Sequence, residues 1–374
     1  MRRNLIIVFI SISMILLAGT KPAAVAEENP GLDVKIGQMI MIGFRGLAIS
    51  DDHPAVRDIR ERHIGGVVLF DYDVPTRTYG RNIASAKQLE ALTSSLQRQA
   101  TIPLFIAVDQ EGGKISRLKE KNGFPPTVSQ KRLGTQDDLK KTRQQAEVTA
   151  KTLAALGVNV NFVPVVDLER NPDSPIIGKL ERSFSPDPNV ITRHALAVIE
   201  AHRRYGVLTA PKHFPGHGSA AGDTHEGFVD VTGQWSAVEL EPFRNLIRQG
   251  KADMIMTAHI FNGKLDPVWP ATLSAETLSG LLRKDMGYDG VVISDDMQMK
   301  AIASRYGLKT AIAQAILAGV DILLFANNSV YEEDIAARAV TTIRTLVEKG
   351  DIPRDRIDAS YRRIMKLKER LRKP

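Results

Sequence analysis

Leu104-Phe105-Ile106-Ala107-Val108-Asp109-Gln110-Glu111-Gly112-Gly113 runs from five consecutive apolar side chains directly into a carboxylate and a glycine turn. A short apolar run closed by turn residues is the pattern of a strand buried on both faces, as in a parallel sheet. Seven more such runs occur along the chain: Met39 to Phe44, Gly65 to Phe70, Val158 to Asp167, Val207 to His213, Ala252 to His259, Gly290 to Asp296 and Asp321 to Ala326. Between them lie amphipathic stretches that predict helices over Ala84 to Gln99, Asp137 to Leu156, Pro188 to Tyr205, Ser236 to Gln249, Ala275 to Lys284 and Gly307 to Ala318. Eight strands alternating with helices predict an α/β fold, a (β/α)8 TIM barrel, in a single domain over residues 27–374. The competing arrangement is an open doubly wound sheet, but no G-x-G-x-x-G follows the first strand and no P-loop occurs.

Residues 1–26 read as a secretory signal peptide. Arg2-Arg3 precede an apolar run from Leu5 to Leu17, and Ala24-Val25-Ala26 precede Glu27-Glu28. This predicts cleavage after Ala26, export to the periplasm or the extracellular medium, and no stable membrane association afterwards. The alternative is a retained N-terminal anchor, to which cleavage is preferred because the run is shorter than the ~20 residues a spanning helix needs.

The formal charge of +7 does not mark a nucleic-acid-binding protein. Beyond residue 26 the chain has 47 basic and 43 acidic residues, and 11 of those bases lie in residues 341–374. Residues 27–340 hold 36 bases and 38 acids, so the high pI resides in a basic C-terminal helix. The sequence has no cysteine, which excludes disulfides, thiolate zinc sites, catalytic thiols and a lipidated N-terminal cysteine.

In a barrel, polar residues at the C-terminal ends of strands face the active-site mouth. The third run ends in Asp109, with Arg117 close behind; the fifth ends in Lys212-His213, the sixth in His259, and the seventh in Ser294-Asp295-Asp296. The loop after the fifth, Lys212-His213-Phe214-Pro215-Gly216-His217-Gly218 with Asp223-Thr224-His225, concentrates three histidines, a lysine and an aspartate. Two chemistries fit it. His213, His217, Asp223 and His225 offer ligands to a transition metal, although Lys212 would set a positive charge beside the cation. Alternatively Asp223 orients His225 and raises its pKa, so that the histidine exchanges a proton near neutrality while a carboxylate on another strand attacks.

The chain resembles glycoside hydrolase family 3, in its β-N-acetylhexosaminidase branch. The resemblance rests on Val108 to Gly113, on Asn171-Pro172 with Glu181-Arg182-Ser183-Phe184, on the Lys212 to Gly218 loop with Asp223-Thr224-His225, and on Ile293-Ser294-Asp295-Asp296-Met297. Lys114 departs from the pattern, standing where many relatives carry arginine. The resemblance implies exo-acting, retaining hydrolysis of terminal β-linked N-acetylglucosamine from peptidoglycan fragments or chitin-type oligosaccharides, without cofactor or metal. It implies Asp295 as nucleophile, His225 as acid/base and Asp223 as its partner. Asp109, Arg117, Arg182, Lys212 and His213 would hold the sugar, and Met297 would line its pocket. His217 is expected to bond loop backbone and Asp296 to cap the next helix or support the site, while His259 is either a mouth residue or a buried bonded one. β-Glucosidase, β-xylosidase or phosphorylase activity, a metal-dependent amidohydrolase and a non-catalytic carbohydrate-binding barrel are the competing expectations.

Overall fold

The computed structural model describes residues 30–372. The expected signal segment and its cleavage site lie outside these residues.

Each of the eight apolar runs contains one parallel strand: β1 Ile40–Gly43, β2 Gly66–Leu69, β3 Phe105–Val108, β4 Val160–Asn161, β5 Leu208–Thr209, β6 Met254–Met256, β7 Val291–Ile293 and β8 Leu323–Phe325. Six pair in the order β8-β1-β2-β3-β4-β5, with Met41 opposite Gly66, Gly66 opposite Phe105 and Ala107 opposite Val160. β6 and β7 form a second parallel pair, Met254 opposite Val291. Single parallel bridges join Phe214 to Thr257 and Ile293 to Ile322, beside the edges of the two sheets. The fold is therefore α/β with parallel sheet, and every residue of these strands is buried, as expected where helices cover the outside.

β4 and β5 are shorter than their apolar runs. Pro164 and Pro211 have no N–H to donate, so the ladder stops before them and resumes as a bridge between Val165 and Lys212. Lys212 donates its N–H to Pro164 O at 3.1 Å and accepts from Val166 N at 2.8 Å. This places the Lys212 and His213 side chains just beyond the strand end.

The helices that cover the sheet are α1 Leu32–Gln38, α2 Pro54–Arg62, α3 Ala86–Gln99, α4 Gln130–Gln136, α5 Leu139–Ala155, α6 Pro188–Arg204, α7 Glu241–Arg248, α8 Lys300–Ala318, α9 Ile335–Glu348 and α10 Arg354–Lys368. Their starts carry the expected chemistry: Asp138 accepts from Lys140 N at 2.9 Å, and Asp187 accepts from Asn189 N at 2.8 Å ahead of Pro188. Three predicted helices differ in detail. The Ser236 to Gln249 stretch divides into a 3-10 turn, Ala237–Leu240, and α7; Glu276–Asp285 is a π-helix; α8 reaches back to Lys300 across a kink at Gly307, whose φ is 67°. Only glycine takes that φ readily.

The basic C-terminal helix is structural. Lys368 is fully buried at the N-terminal ends of the strands, where its ammonium donates to Gln38 Oε1 at 2.7 Å and Gly65 O at 2.8 Å and stands 4.7 Å from the Phe105 ring centroid. Nearby, the buried Asp321 carboxylate accepts from Arg283 at 2.7 Å, Ser360 at 2.7 Å and Val292 N at 3.0 Å, tying the π-helix, α10 and β7 to the start of β8. Asp321→Ala removes the one carboxylate that Arg283, Arg356 and Arg363 share and leaves the buried Val292 N–H without its acceptor, and about 3 to 5 kcal/mol of stability should be lost. Urea unfolding tests this; a loss below about 1 kcal/mol would contradict the role given to Asp321.

Candidate active site

At the opposite ends of the strands lies a cavity of about 310 Å³, lined from every quarter of the sheet by Asp71, Asp109, Glu111, Arg117, Arg182, Lys212, His213, His217, Asp223, His225, Asp295 and Asp296, with apolar side chains between them. Asp109 follows β3 and meets Lys212 Nζ at 2.6 Å, with Arg117 at 3.7 Å on its other oxygen. Lys212, whose side chain is only 2 % exposed, also reaches Glu111 Oε1 at 2.8 Å. Arg182 grips Glu111 with two bonds, Nε to Oε2 at 2.8 Å and Nη2 to Oε1 at 2.7 Å, and donates to His213 Nε2 at 3.2 Å. His213 Nδ1 then donates to Asp167 Oδ2 at 2.6 Å. Burial alone would push the Glu111 carboxyl up, but the Arg182 and Lys212 cations hold it well below the usual carboxylate range. Glu111 in turn raises the Arg182 guanidinium against the effect of its own burial.

The Lys212 to His225 loop is moulded onto the fourth strand's extension. Gly218 lies so close to Leu168 that a Cβ there would fall 1.6 Å from its carbonyl oxygen, which no larger residue permits. Asp167 Oδ1 accepts the backbone N–H groups of His213 at 3.1 Å and His217 at 2.7 Å, fixing the loop at two points. The Lys212–His213 and Phe214–Pro215 peptides are cis. Farther along, Asp223 Oδ1 accepts both the backbone N–H of His225, at 2.8 Å, and its ring Nδ1–H, at 2.7 Å. His225 Nε2 is thereby left for whatever occupies the cavity. Desolvation lowers the His225 pKa, but the Asp223 bond and the Asp295 charge outweigh it, and the value lies above the ordinary one.

Asp295 follows β7 and receives the Asp296 N–H on Oδ1 at 2.8 Å. Burial works to raise its pKa; His259, His213 and His225 and that N–H prevail and hold it at about 2. It is an ionised carboxylate at any ordinary pH. Asp296 behaves oppositely, since burial pushes it up to about 6.

The structure thus gathers Asp295, His225, Asp223, Asp109, Arg117, Arg182, Lys212 and His213 around one cavity. Met297 is not among the lining residues. Its N–H bonds Leu324 O at 2.9 Å and its side chain, 3 % exposed, turns into the apolar core. Asp296 does not cap α8, which begins four residues later at Lys300; its Oδ1 instead accepts from Gln298 N at 3.1 Å and Ala326 N at 2.9 Å, joining β7 to β8. His217 is bound to the fold by its backbone rather than its ring. Neither ring nitrogen meets a protein partner, and burial depresses its pKa to about 4. His259 is the buried, bonded histidine of the two alternatives. Lys114 donates to Lys179 O at 2.7 Å and is not among the lining residues, although its neighbour Ile115 is.

Sequence reasoning passed over Glu111, Asp167 and Asp71. Asp167 and Asp71 obey the same strand-end rule that picked out Asp109, one closing the fourth apolar run and the other following the second. Glu111 was signalled by charge balance: Arg117, Arg182 and Lys212 are three cations, for which Asp109 alone is too little negative charge to permit burial. Among the described residues, no group of three His, Asp or Glu side chains is arranged to hold a metal ion.

Residues 31–367 match the glycosyl hydrolase family 3 N-terminal domain. The chain is 32% identical over 374 residues to the beta-hexosaminidase A of Pseudoalteromonas piscicida, covering 90% of this chain and 60% of that protein. It is 36% identical over 300 residues to the beta-hexosaminidase of Tolumonas auensis, covering 77% and 83%. Among solved structures, the family 3 beta-N-acetylglucosaminidase of Paenibacillus sp. str. FPU-7 superposes with a TM-score of 0.83 at 36% identity, over 91% of this chain and 62% of that one. The chain therefore spans about three fifths of two of these relatives and most of the third. By the family match along nearly its whole described length and by these identities, the chain belongs to glycosyl hydrolase family 3.

Proposed function

We propose that this protein is an exo-acting, retaining β-N-acetylglucosaminidase that removes terminal β-linked N-acetylglucosamine from peptidoglycan fragments or chitin-type oligosaccharides. The observation that carries the reading is a carboxylate held ionised, Asp295, lining the same cavity as a His225–Asp223 dyad whose imidazole is held ready for protonation. A nucleophile must be charged and an acid must carry its proton at one pH, and these two groups satisfy both conditions. The relatives named above as beta-hexosaminidases and a beta-N-acetylglucosaminidase support the choice of sugar.

In this mechanism the sugar ring is held by Asp109, Lys212, Arg182, His213 and Arg117, whose charges suit hydroxyls that both donate and accept. Asp295 attacks the anomeric carbon through an oxocarbenium-like transition state while His225 Nε2 passes its proton to the departing oxygen. The resulting ester between Asp295 and the sugar is then hydrolysed by a water from which His225 takes a proton. Two inversions give net retention. Because the acid is an imidazole, the usual separation rule for paired carboxylates does not apply.

The same proposal includes a closed (β/α)8 barrel in a single domain, supported by the bridges Phe214–Thr257 and Ile293–Ile322, one on each side of the β6–β7 pair. It also includes export, supported by the charge and apolar pattern of residues 1–26.

Chromogenic β-N-acetylglucosaminide should be hydrolysed far faster than β-glucoside, with or without chelator; a preference for glucoside, or a requirement for metal, would overturn the reading. Asp295→Asn should reduce turnover by about 10³-fold or more in folded protein, and a variant retaining a tenth of the activity would remove Asp295 from the role of nucleophile. His225→Ala should lose much more activity on poor leaving groups than on good ones, because only poor ones need the proton; equal losses would contradict the acid role. In the wild type, kcat/KM should fall as pH rises through the raised His225 pKa, above 6.5. Asp223→Asn removes a neighbour that raises that pKa, so the alkaline limb should move to lower pH. An unmoved limb would refute the dyad.

A further inference from the structure

We propose that His259 is a positioning residue of the nucleophile: from the end of β6 it clamps the peptide unit after Asp296, and so holds the Asp296 N–H against the Asp295 carboxylate. The inference rests on the reading of Asp295 as nucleophile.

The geometry is a closed set of bonds. His259 is fully buried, and its Nε2 lies 2.9 Å from Asp296 O. A carbonyl only accepts, so Nε2 carries the hydrogen. The other half of that peptide, Met297 N–H, donates to Leu324 O at 2.9 Å. The unit is thus gripped from β6 on one side and from β8 on the other. Asp296 Oδ1, receiving Ala326 N–H and Gln298 N–H, adds two further anchors to the same residue. With Asp296 held at its carbonyl and its side chain, its N–H is directed at Asp295 Oδ1, 2.8 Å away.

His259 is itself braced. Nδ1 meets Thr272 Oγ1 at 2.8 Å, and that hydroxyl lies 2.8 Å from both Thr257 Oγ1 and Ala258 O. Thr257 N–H donates to Ile293 O at 3.0 Å, so the histidine's own segment is registered on β7 two residues before the nucleophile. Burial lowers the His259 pKa against the raising effects of the Asp295 charge and the bond to Asp296 O. The imidazole acts on the Asp295 segment through the Nε2–H bond to Asp296 O and the geometry that bond fixes. His259, Thr257 and Thr272 are not among the residues lining the cavity, so binding of the sugar is left to Asp109, Arg117, Arg182, Lys212 and His213.

The test compares His259→Asn with His259→Gln, because the longer amide can place an N–H where Nε2 stands and the shorter one cannot. For chromogenic β-N-acetylglucosaminide, His259→Asn should lower kcat/KM by about 10²-fold, the effect of a small misplacement of a reacting group. The inhibition constant of N-acetylglucosamine should stay within about threefold, and His259→Gln should recover most of the loss. Three results would overturn the proposal: kcat/KM for His259→Asn within about threefold of wild type, sugar binding weakened in step with kcat/KM, or a Gln variant no better than the Asn variant. Should circular dichroism show His259→Asn unfolded, Thr272→Val removes the hydroxyl that braces Nδ1, together with its bonds to Thr257 Oγ1 and Ala258 O, and leaves the Nε2 bond in place; it should lower kcat/KM about fivefold at unchanged sugar binding, and no loss would overturn the proposal. Inactive wild type, or active Asp295→Asn, would instead defeat the reading of the site, whereas an active enzyme indifferent to residue 259 would defeat this inference alone.

Discussion

The Lys212 ammonium is the interaction on which the site depends. A buried cation is tolerated only where opposite charge surrounds it closely, and Lys212 sits 2.6 Å from Asp109 and 2.8 Å from Glu111. Glu111 brings in Arg182, Arg182 brings in His213, and His213 brings in Asp167. These residues come from three successive strand ends and the long loop after β4. One chain of charge-assisted bonds therefore determines where the loops of half the sheet can go, and the cavity is the space those loops leave.

Separate surroundings favour the charged form of Asp295 and the protonated form of His225. Asp295 lies among imidazoles and a backbone N–H, all of which favour its charge, while Asp296 next to it is desolvated with less compensation. His225 projects from the loop that Asp167 anchors, and its carboxylate partner is two residues away in sequence, so the dyad's bonds are made within one local turn. The proposed acid and nucleophile are thus supplied by different devices: a local turn for one, and the packing of strand ends for the other.

Strand positions were legible because each strand is buried on both faces and is written as an unbroken apolar run ending in a polar residue. The cavity-lining set was legible for the same reason, since Asp109 and Asp295 sit one and two residues past a strand, and Lys212 and His213 at and just after the bridge that extends β5. Side-chain direction was not. Met297 follows two acids in a strand-end motif, yet the bonds that clamp the Asp296–Met297 peptide turn its side chain inward. Asp167 stands at the end of its apolar run as Asp109 does and was passed over, whereas Glu111 was hidden because its role is relational: it becomes necessary only when Arg182 and Lys212 arrive from distant parts of the chain. Helix ends were missed where glycine or 3-10 geometry interrupts a regular amphipathic pattern, as at Gly307.

The central claim is that Asp295 forms a bond to the sugar. The direct measurement is intact-mass and peptide analysis of the protein after reaction with a 5-fluoro N-acetylglucosaminyl fluoride, which forms the glycosyl-enzyme faster than it is hydrolysed. One added sugar per chain is expected, carried by the peptide containing Asp295 and absent in Asp295→Asn. Turnover of the reagent with no added mass, or a label on any other residue, would contradict it.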